Sequence, residues 1–281
     1  MTANYQGRIL CVANYFGNVK NAPLSQLNTL SSGMPSKERA DALLVTKGLC
    51  DSREQAKRLI LAGEVLHGTH VVAKPSTKIP TDGELTVKER PKFVGRGGLK
   101  MEGALDSFEI DPTGMTCLDV GASTGGFTDC LLQRGAERVH AVDVGTNQLV
   151  WKLRSDPRVV VKEKFNARHM VPEDIGEPID LAVTDVSFIS LTRILPPMFS
   201  TLKESGQIVC LIKPQFELQR DDISKGGIVR DPELHQRAVD KIYNFVTEEL
   251  GHIWIKHIES PIQGTDGNKE FLAWLKMEPQ S

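Results

Sequence analysis

Cysteine is scarce in this chain of 281 residues: five are present, at positions 11, 50, 117, 130 and 210, and no two form a CxxC pair. An odd count without paired spacing argues against a disulfide framework or a zinc site and fits a reducing cytoplasm. Long apolar runs are missing as well. None approaches the roughly 18 residues of a membrane span, and the N-terminus lacks the apolar stretch and cleavage pattern of an export signal. No internal repeat is visible. What is present, 40% hydrophobic and 25% charged residues, is a globular mixture that excludes wholesale disorder. The length suits a small domain joined to one of ordinary size.

Acid is absent from one stretch. Residues 1–33 hold five asparagines, Arg8 and Lys20, but no aspartate or glutamate and no sustained periodicity. The texture changes at Met34-Pro35-Ser36-Lys37-Glu38-Arg39, so residues 1–33 read as a lineage-specific extension or an upstream start. Charge is also uneven over the whole chain. Residues 1–100 carry 15 lysines and arginines against 8 acids, whereas the remainder carries 19 against 28. A basic front on an acidic body predicts that the front meets a polyanion.

From 34 to 92 the pattern is two short helices followed by β-like runs. Ala40, Leu43 and Leu44 have helical spacing, and Gly48 is placed to end that helix. Ser52-Arg53-Glu54-Gln55 is a capping box opening a second helix, with Ala56, Leu59 and Ile60 inward and Gly63 closing it. Arg53 and Lys57 are i,i+4 neighbours with Arg58 beside them, which makes one face basic. Short β-like runs follow at 64–66, 71–72 and 85–87. Residues 93–98, Phe93-Val94-Gly95-Arg96-Gly97-Gly98, read as a linker.

Beyond the linker, Met101, Leu105 and Phe108 mark an amphipathic helix, and from Thr116 β-like runs alternate with helices. That alternation predicts an α/β fold on a mostly parallel sheet. Strands are expected at 116–120, 138–142, 158–161, 179–184 and 207–212, with two late ones at 253–258 and 271–276. Asp231-Pro232 caps a long helix whose buried stripe is Val239, Ile242, Phe245, Val246 and Leu250.

The first strand runs into Gly121-Ala122-Ser123-Thr124-Gly125-Gly126, a turn whose glycines admit a ligand close to the backbone. The next strand ends at Asp143, where an acid binds ribose hydroxyls in doubly wound sheets. This turn alone fits a dinucleotide equally well. Asp119, just before it, neither clashes with nor repels a positively charged sulfonium, which turns the reading towards S-adenosylmethionine.

Two resemblances sharpen it. The run from Arg39 through Ser52–Gly63 and Val71–Ser76 resembles the S4-like RNA-binding module, which implies that Arg39, Arg53, Lys57 and Arg58 face RNA phosphates. Leu118–Leu132, the Asp143 strand end and Thr184-Asp185-Val186-Ser187-Phe188 resemble an FtsJ-type class I methyltransferase with a seven-stranded sheet. That resemblance places Gly121, Ser123, Gly125 and Asp143 around the cofactor's amino-acid and ribose parts, with Asp119, Ala122, Gly126 and Asp185 beside them and Asn166 near the adenine. It also carries a Lys-Asp-Lys-Glu tetrad onto Lys100, Asp185, Lys213 and Glu270. Phe93–Lys100 and Lys225–Pro232 extend the likeness to the TlyA family, often labelled hemolysins, which includes ribosomal RNA cytidine 2′-O-methyltransferases. Arg96 and Lys100 then belong to the seam between RNA grip and chemistry. The 33-residue N-terminal segment departs from the family pattern.

The tetrad has a chemical rationale. A ribose 2′-hydroxyl is a poor nucleophile at neutral pH and must be held in line and relieved of its proton. A neighbouring cation and burial lower a lysine's affinity for its proton, so Lys213 is expected to act as base or proton acceptor, with Lys100 steering the hydroxyl or lowering the proton affinity of Lys213. Asp185 and Glu270 are expected to hold the two ammonium groups. Other acceptors lack their residues: Asp185-Val186-Ser187-Phe188 is not the Pro-Pro-aromatic turn of base-amino enzymes, and Cys210 lies in an apolar strand rather than at a nucleophile's position. The expected partner is ribosomal RNA or a ribosomal subunit, with S-adenosylmethionine as cofactor, no metal and no membrane. Two other readings stand beside this one: a membrane-damaging hemolysin, and an RNA-binding assembly factor with an inactive methyltransferase domain.

Overall fold

The computed structural model describes residues 35–88, 91–223 and 226–278; the expected extension over 1–33 lies outside them. The chain divides between Glu89 and Arg90 into two compact units.

In the first unit, β1 (Lys37–Arg39) leads into α1 (Ala40–Thr46) and α2 (Arg53–Leu61), followed by β2 (Val65–His67), β3 (His70–Val71), β4 (Lys78–Pro80) and β5 (Leu85–Val87). Ser52 caps α2 by accepting the Gln55 N–H at 3.2 Å, while the Gln55 side chain accepts from the Asp51 N–H at 3.0 Å, one residue further back than a standard capping box. Ala40, Leu43, Leu44, Ala56, Ile60 and Ile79 form the core. β2 is central to an antiparallel sheet of order β3-β2-β5, and β1 pairs with β4. That second pair has no sequence signal, because three-residue strands such as Lys37–Arg39 carry no readable alternation.

The second unit holds α3 (Gly97–Phe108), β6 (Thr116–Val120), α4 (Gly126–Gln133), β7 (Arg138–Val142), α5 (Trp151–Arg154), β8 (Val159–Lys162), α6 (Pro172–Ile175), β9 (Ile179–Thr184), α7 (Leu195–Ser200), β10 (Leu202–Ile212), α8 (Pro214–Glu217), α9 (Pro232–Asn244), β11 (Ile253–Glu259) and β12 (Phe271–Lys276). Its sheet has seven strands in the order β11-β12-β10-β9-β6-β7-β8. β12 runs antiparallel to both neighbours, and the other pairings are parallel. Successive residues of the strands feed opposite faces. Cys117, Leu181 and Val209 pack with Met101, Leu105 and Leu131 on one side, and Leu118, Ala182 and Ile208 pack with Leu195, Met198 and Ile242 on the other. Each fully buried aliphatic side chain contributes roughly 1.5–3 kcal/mol of transfer free energy.

Residues 93–98 are part of this body rather than a free connection. Phe93 is buried, and the Val94 N–H donates to Asp129 at 2.9 Å. A Cβ on Gly98 would lie 2.3 Å from the Phe93 ring, so only glycine lets the ring settle on the start of α3. The chain winds outward from β6 through β7 to β8 and then crosses to β9 on the other side of β6. That reversal leaves a crevice at the carboxyl ends of β6 and β9, where open α/β sheets bind ligands. Among the described residues, no helix is long and apolar enough to cross a membrane and no group of His, Cys, Asp or Glu is placed to hold a metal ion.

Candidate functional site

The glycine turn leaves β6 with Gly121 at φ 81°, Ser123 at φ 49° and Gly125 at φ 99°. The strained Ser123 is held from outside: Asp143 at the end of β7 accepts its N–H at 2.8 Å and the Gly145 N–H at 2.7 Å. Each Asp143 oxygen keeps a further lone pair free. Two adjoining cavities, about 340 and 450 Å³, open on the turn and share Gly121, Ser123, Asp185 and Ser187. Asp119, Ala122, Gly126, Lys100, Lys213 and Arg96 line the first, a polar one. Val142, Asp143, Phe165, Asn166, Val186 and Ile189 line the second, which is more apolar. Gly125, expected at the cofactor, lines neither. A Cβ there would sit 2.2 Å from Leu153 Cδ1 and 2.7 Å from Leu149 Cδ1, so Gly125 makes room for the segment leading into α5.

Asp119 is fully buried. Its Oδ2 accepts from the Thr128 N–H at 3.0 Å and the Thr128 hydroxyl at 2.6 Å, while Oδ1 has no hydrogen-bond partner. Burial pushes its carboxyl up to about 7.

Lys100 arrives from α3, Asp185 follows β9, Lys213 follows β10, and Glu270 immediately precedes β12. They form one chain of charge: Glu270 Oε2 lies 2.6 Å from Lys100 Nζ, Lys100 Nζ lies 3.8 Å from Asp185 Oδ2, and Asp185 Oδ1 lies 2.5 Å from Lys213 Nζ. Lys213 Nζ also donates to the Ser187 hydroxyl at 2.9 Å. The two lysines are 8% and 9% exposed and Glu270 is 3% exposed, so each buried charge has an opposite neighbour, which burial requires. Lys100, Asp185 and Lys213 face the first cavity, and Glu270 stands behind Lys100.

Asn166 is exposed and caps the turn over Ala167–His169 by accepting the Arg168 N–H. The Arg96 guanidinium donates to the Gln263 carbonyl at 3.1 Å, at the rim of the polar cavity. In the first unit, Arg39 and Arg53 share one buried carboxylate, Asp41, at 2.9 and 3.1 Å. Lys57 pairs with Glu54 at 2.7 Å, and Arg58 is exposed with no ion-pair partner among the described residues. Two guanidiniums on one carboxylate leave a surplus positive charge in a fixed orientation.

Asp41 carries a prediction of its own. The Arg39 hydrogen bonds hold its carboxyl well below the usual carboxylate range, at about 2. A depressed folded value contributes stability present above the ordinary 3.8 and lost as pH falls through about 2. Asp41→Asn is expected to cost about 1–3 kcal/mol, because the arginines are half exposed and water takes up part of the loss. Denaturant unfolding at pH 7 and at pH 3 checks it: the variant's deficit should shrink in acid.

Four residues in and behind the cavities escaped the sequence reading. Ser187 lies inside a run that carried the resemblance, yet nothing marks its hydroxyl as a lysine partner. Thr128 was detectable only as a hydroxyl on the first turn after the glycines. Gln263 and Thr265, which line the polar cavity, come from the β11–β12 connection and had no local signal. Cys117, Cys130 and Cys210 are buried and free, and burial pushes each thiol up to about 12. None of the three is a nucleophile in this fold.

The comparisons with known proteins agree with this geometry. Residues 93–277 match the FtsJ-like methyltransferase family and residues 38–85 match the S4 domain. The 16S/23S rRNA (cytidine-2′-O)-methyltransferase TlyA of Mycobacterium tuberculosis is 46% identical over 87% of this chain and 92% of its own length. Hemolysin A of Brachyspira hyodysenteriae is 44% identical over 84% of this chain and 98% of its own. A solved structure from Streptococcus thermophilus, described as a hemolysin, superposes with a TM-score of 0.65 at 47% identity, covering 87% of this chain and 89% of that one. With its glycine turn, its seven-stranded sheet and its match over residues 93–277, the chain belongs to the FtsJ-like methyltransferases, in the TlyA family that joins such a domain to an S4 domain.

Proposed function

We propose that the chain is a cytoplasmic enzyme that transfers a methyl group from S-adenosylmethionine to a ribose 2′-hydroxyl of a cytidine in ribosomal RNA. The observation that carries this reading is the Glu270–Lys100–Asp185–Lys213 chain of charge opening on the glycine-turn cavity. The residues present fit the cofactor. Asp119 Oδ1 is a buried acceptor without a donor, suited to an amino-acid ammonium group. The spare lone pairs of Asp143 suit ribose hydroxyls, and the cavity lined by Val142, Phe165 and Ile189, with Asn166 at its edge, suits an adenine.

When bound, the cofactor supplies an electrophilic methyl group. The remaining work belongs to the chain. Lys100 and Lys213 flank the space beside Asp185 and hold the hydroxyl in line, an orienting effect that accounts for much of such catalysis. The Lys213 ammonium first gives up a proton through Asp185, whose side chain is 22% exposed, to solvent, and the neutral amine then accepts the proton of the hydroxyl as its oxygen takes the methyl group. Glu270 keeps Lys100 in place. The substrate is carried by the first unit: Arg39 and Arg53, oriented by Asp41, with Lys57 and Arg58 on α2, grip phosphates and supply affinity without choosing a sequence. Arg96 at the rim of the polar cavity grips RNA phosphates as well. The names of the relatives support ribosomal RNA as that substrate.

Mapping 2′-O-methylation on both ribosomal RNAs from cells with and without the gene tests the reading. The expected result is loss of the mark at one or a few cytidines. An unchanged ribose map, or a changed base methylation, overturns it.

A further inference from the structure

We infer that Glu217 is a positioning residue for methyl transfer: it locks the segment carrying Asp185 to the segment carrying Lys213 and thereby sets the contact between those two side chains. The inference rests on the proposed methyl-transfer reading and adds to it a residue outside the tetrad. Glu217 ends α8, four residues after Lys213, and is 5% exposed. A carboxylate so buried needs its acceptors filled, and three donors fill them. Oε2 accepts from the Ser190 hydroxyl at 2.5 Å and from Lys241 Nζ at 3.0 Å, and Oε1 accepts from the Leu191 N–H at 2.8 Å. Lys241, from α9, also reaches the Glu217 carbonyl at 2.7 Å.

Ser190 lies five residues after Asp185. The strand-end segments 185–191 and 213–217 are therefore joined by two sets of polar contacts, with the Phe188 and Phe216 rings 5.1 Å apart between them. Asp185 and Ser187 meet Lys213 at one end, and Ser190 and Leu191 meet Glu217 at the other. Neither segment is held by sheet pairing at these positions, since β9 stops at Thr184 and β10 at Ile212. Phe188, between the two joints, adopts a positive φ of 64°, so the first segment is not free to choose its path. Glu217 lines neither cavity, so it acts through the segments it ties.

Glu217→Gln tests this. The amide keeps one acceptor for the Leu191 N–H, and the Ser190 hydroxyl can turn to accept from its N–H, but Lys241 loses its charged acceptor and faces a donor, so the lower joint loosens. The full chain is assayed with ribosomal subunits lacking the modification; cofactor Kd comes from calorimetry, and the rate is normalised to folded protein. Expected is a kcat lower by about 10-fold or more with a cofactor Kd within about twofold. Ser190→Ala, which removes the hydroxyl's hydrogen bond to Glu217 together with its contacts to Thr192 and Lys241, is expected to lower kcat by about threefold and decides the matter if the glutamine variant does not fold. A kcat per folded molecule within about twofold of wild type, despite a lower melting temperature, shows scaffolding only and overturns the inference; so does a Kd rising as much as kcat falls. Wild-type protein assayed alongside separates the two claims. If it transfers no methyl group to a ribose, the function reading fails. If it is active and Glu217→Gln matches it, only the positioning role fails.

Discussion

Replacing Lys213 by alanine is expected to lower the rate of methyl transfer by about 10²- to 10⁴-fold, the range over which a positioned proton acceptor contributes. Cofactor affinity should stay within about threefold, because the charge lost is not one that the fit assigns to the cofactor. The fold should survive as well. Asp185 loses its partner at 2.5 Å but keeps Lys100 at 3.8 Å and has 22% of its side chain in solvent, so its charge is not stranded. Lys100→Ala should behave differently. It leaves Glu270, 3% exposed, without its only ion-pair partner among the described residues, and such a loss costs about 3–5 kcal/mol. The two lysine variants therefore separate chemistry from scaffolding: Lys213→Ala is stable and slow, whereas Lys100→Ala is slow and unstable. Single-turnover transfer beside thermal melting reads both, and a Lys213→Ala enzyme with a near wild-type rate sinks the assignment of that side chain.

Much of this site was legible in the sequence because the fold puts chemistry where local patterns end. Val120, Val142, Thr184 and Ile212 each close an observed strand, and the residues just after them are the glycine turn, Asp143, Asp185 and Lys213. The seven expected strands of the second unit appear, four with the expected bounds, two displaced by one residue and β10 starting five residues earlier, since β-branched runs bounded by glycine, proline and aspartate carry a strong signal. What escaped depends on contact between distant residues. Gly125 looks like a cofactor glycine until Leu149 and Leu153 occupy its missing side chain. Residues 93–98 have a linker's composition, but Phe93 finds a hydrophobic seat and Gly98 makes space for it. Glu217 is one more acid in the sequence, and only the approach of Ser190, Leu191 and Lys241 shows what it joins. The basic helix face was visible too, but not the buried Asp41 that aims its Arg53 together with Arg39 of β1.

Affinity for S-adenosylmethionine is expected to rise about tenfold per pH unit up to about pH 7 and then level off, with Asp119 as the group responsible. Without ligand, the Asp119 carboxyl is held neutral by burial and titrates at about 7 instead of 3.8. A raised folded value means that the folded state keeps a proton which the unfolded chain has already lost. Its contribution to stability is full below 3.8 and is lost as pH rises through about 7. A shift of that size corresponds to an upper bound of about 4 kcal/mol. An ammonium group delivered to the unpartnered Oδ1 reverses the preference, because a nearby cation favours the carboxylate. Binding then expels the proton, and below pH 7 the protein must give up about one proton per cofactor bound. Calorimetry at pH 6 in buffers of different ionisation enthalpy counts that proton directly, without any turnover. Asp119→Asn removes the titration: its Kd should be weaker at pH 8 and flat from pH 5.5 to 8.5, with no proton released. A wild-type Kd that is equally flat across that range places the cofactor's ammonium elsewhere and leaves Asp119 as a partner of Thr128 alone.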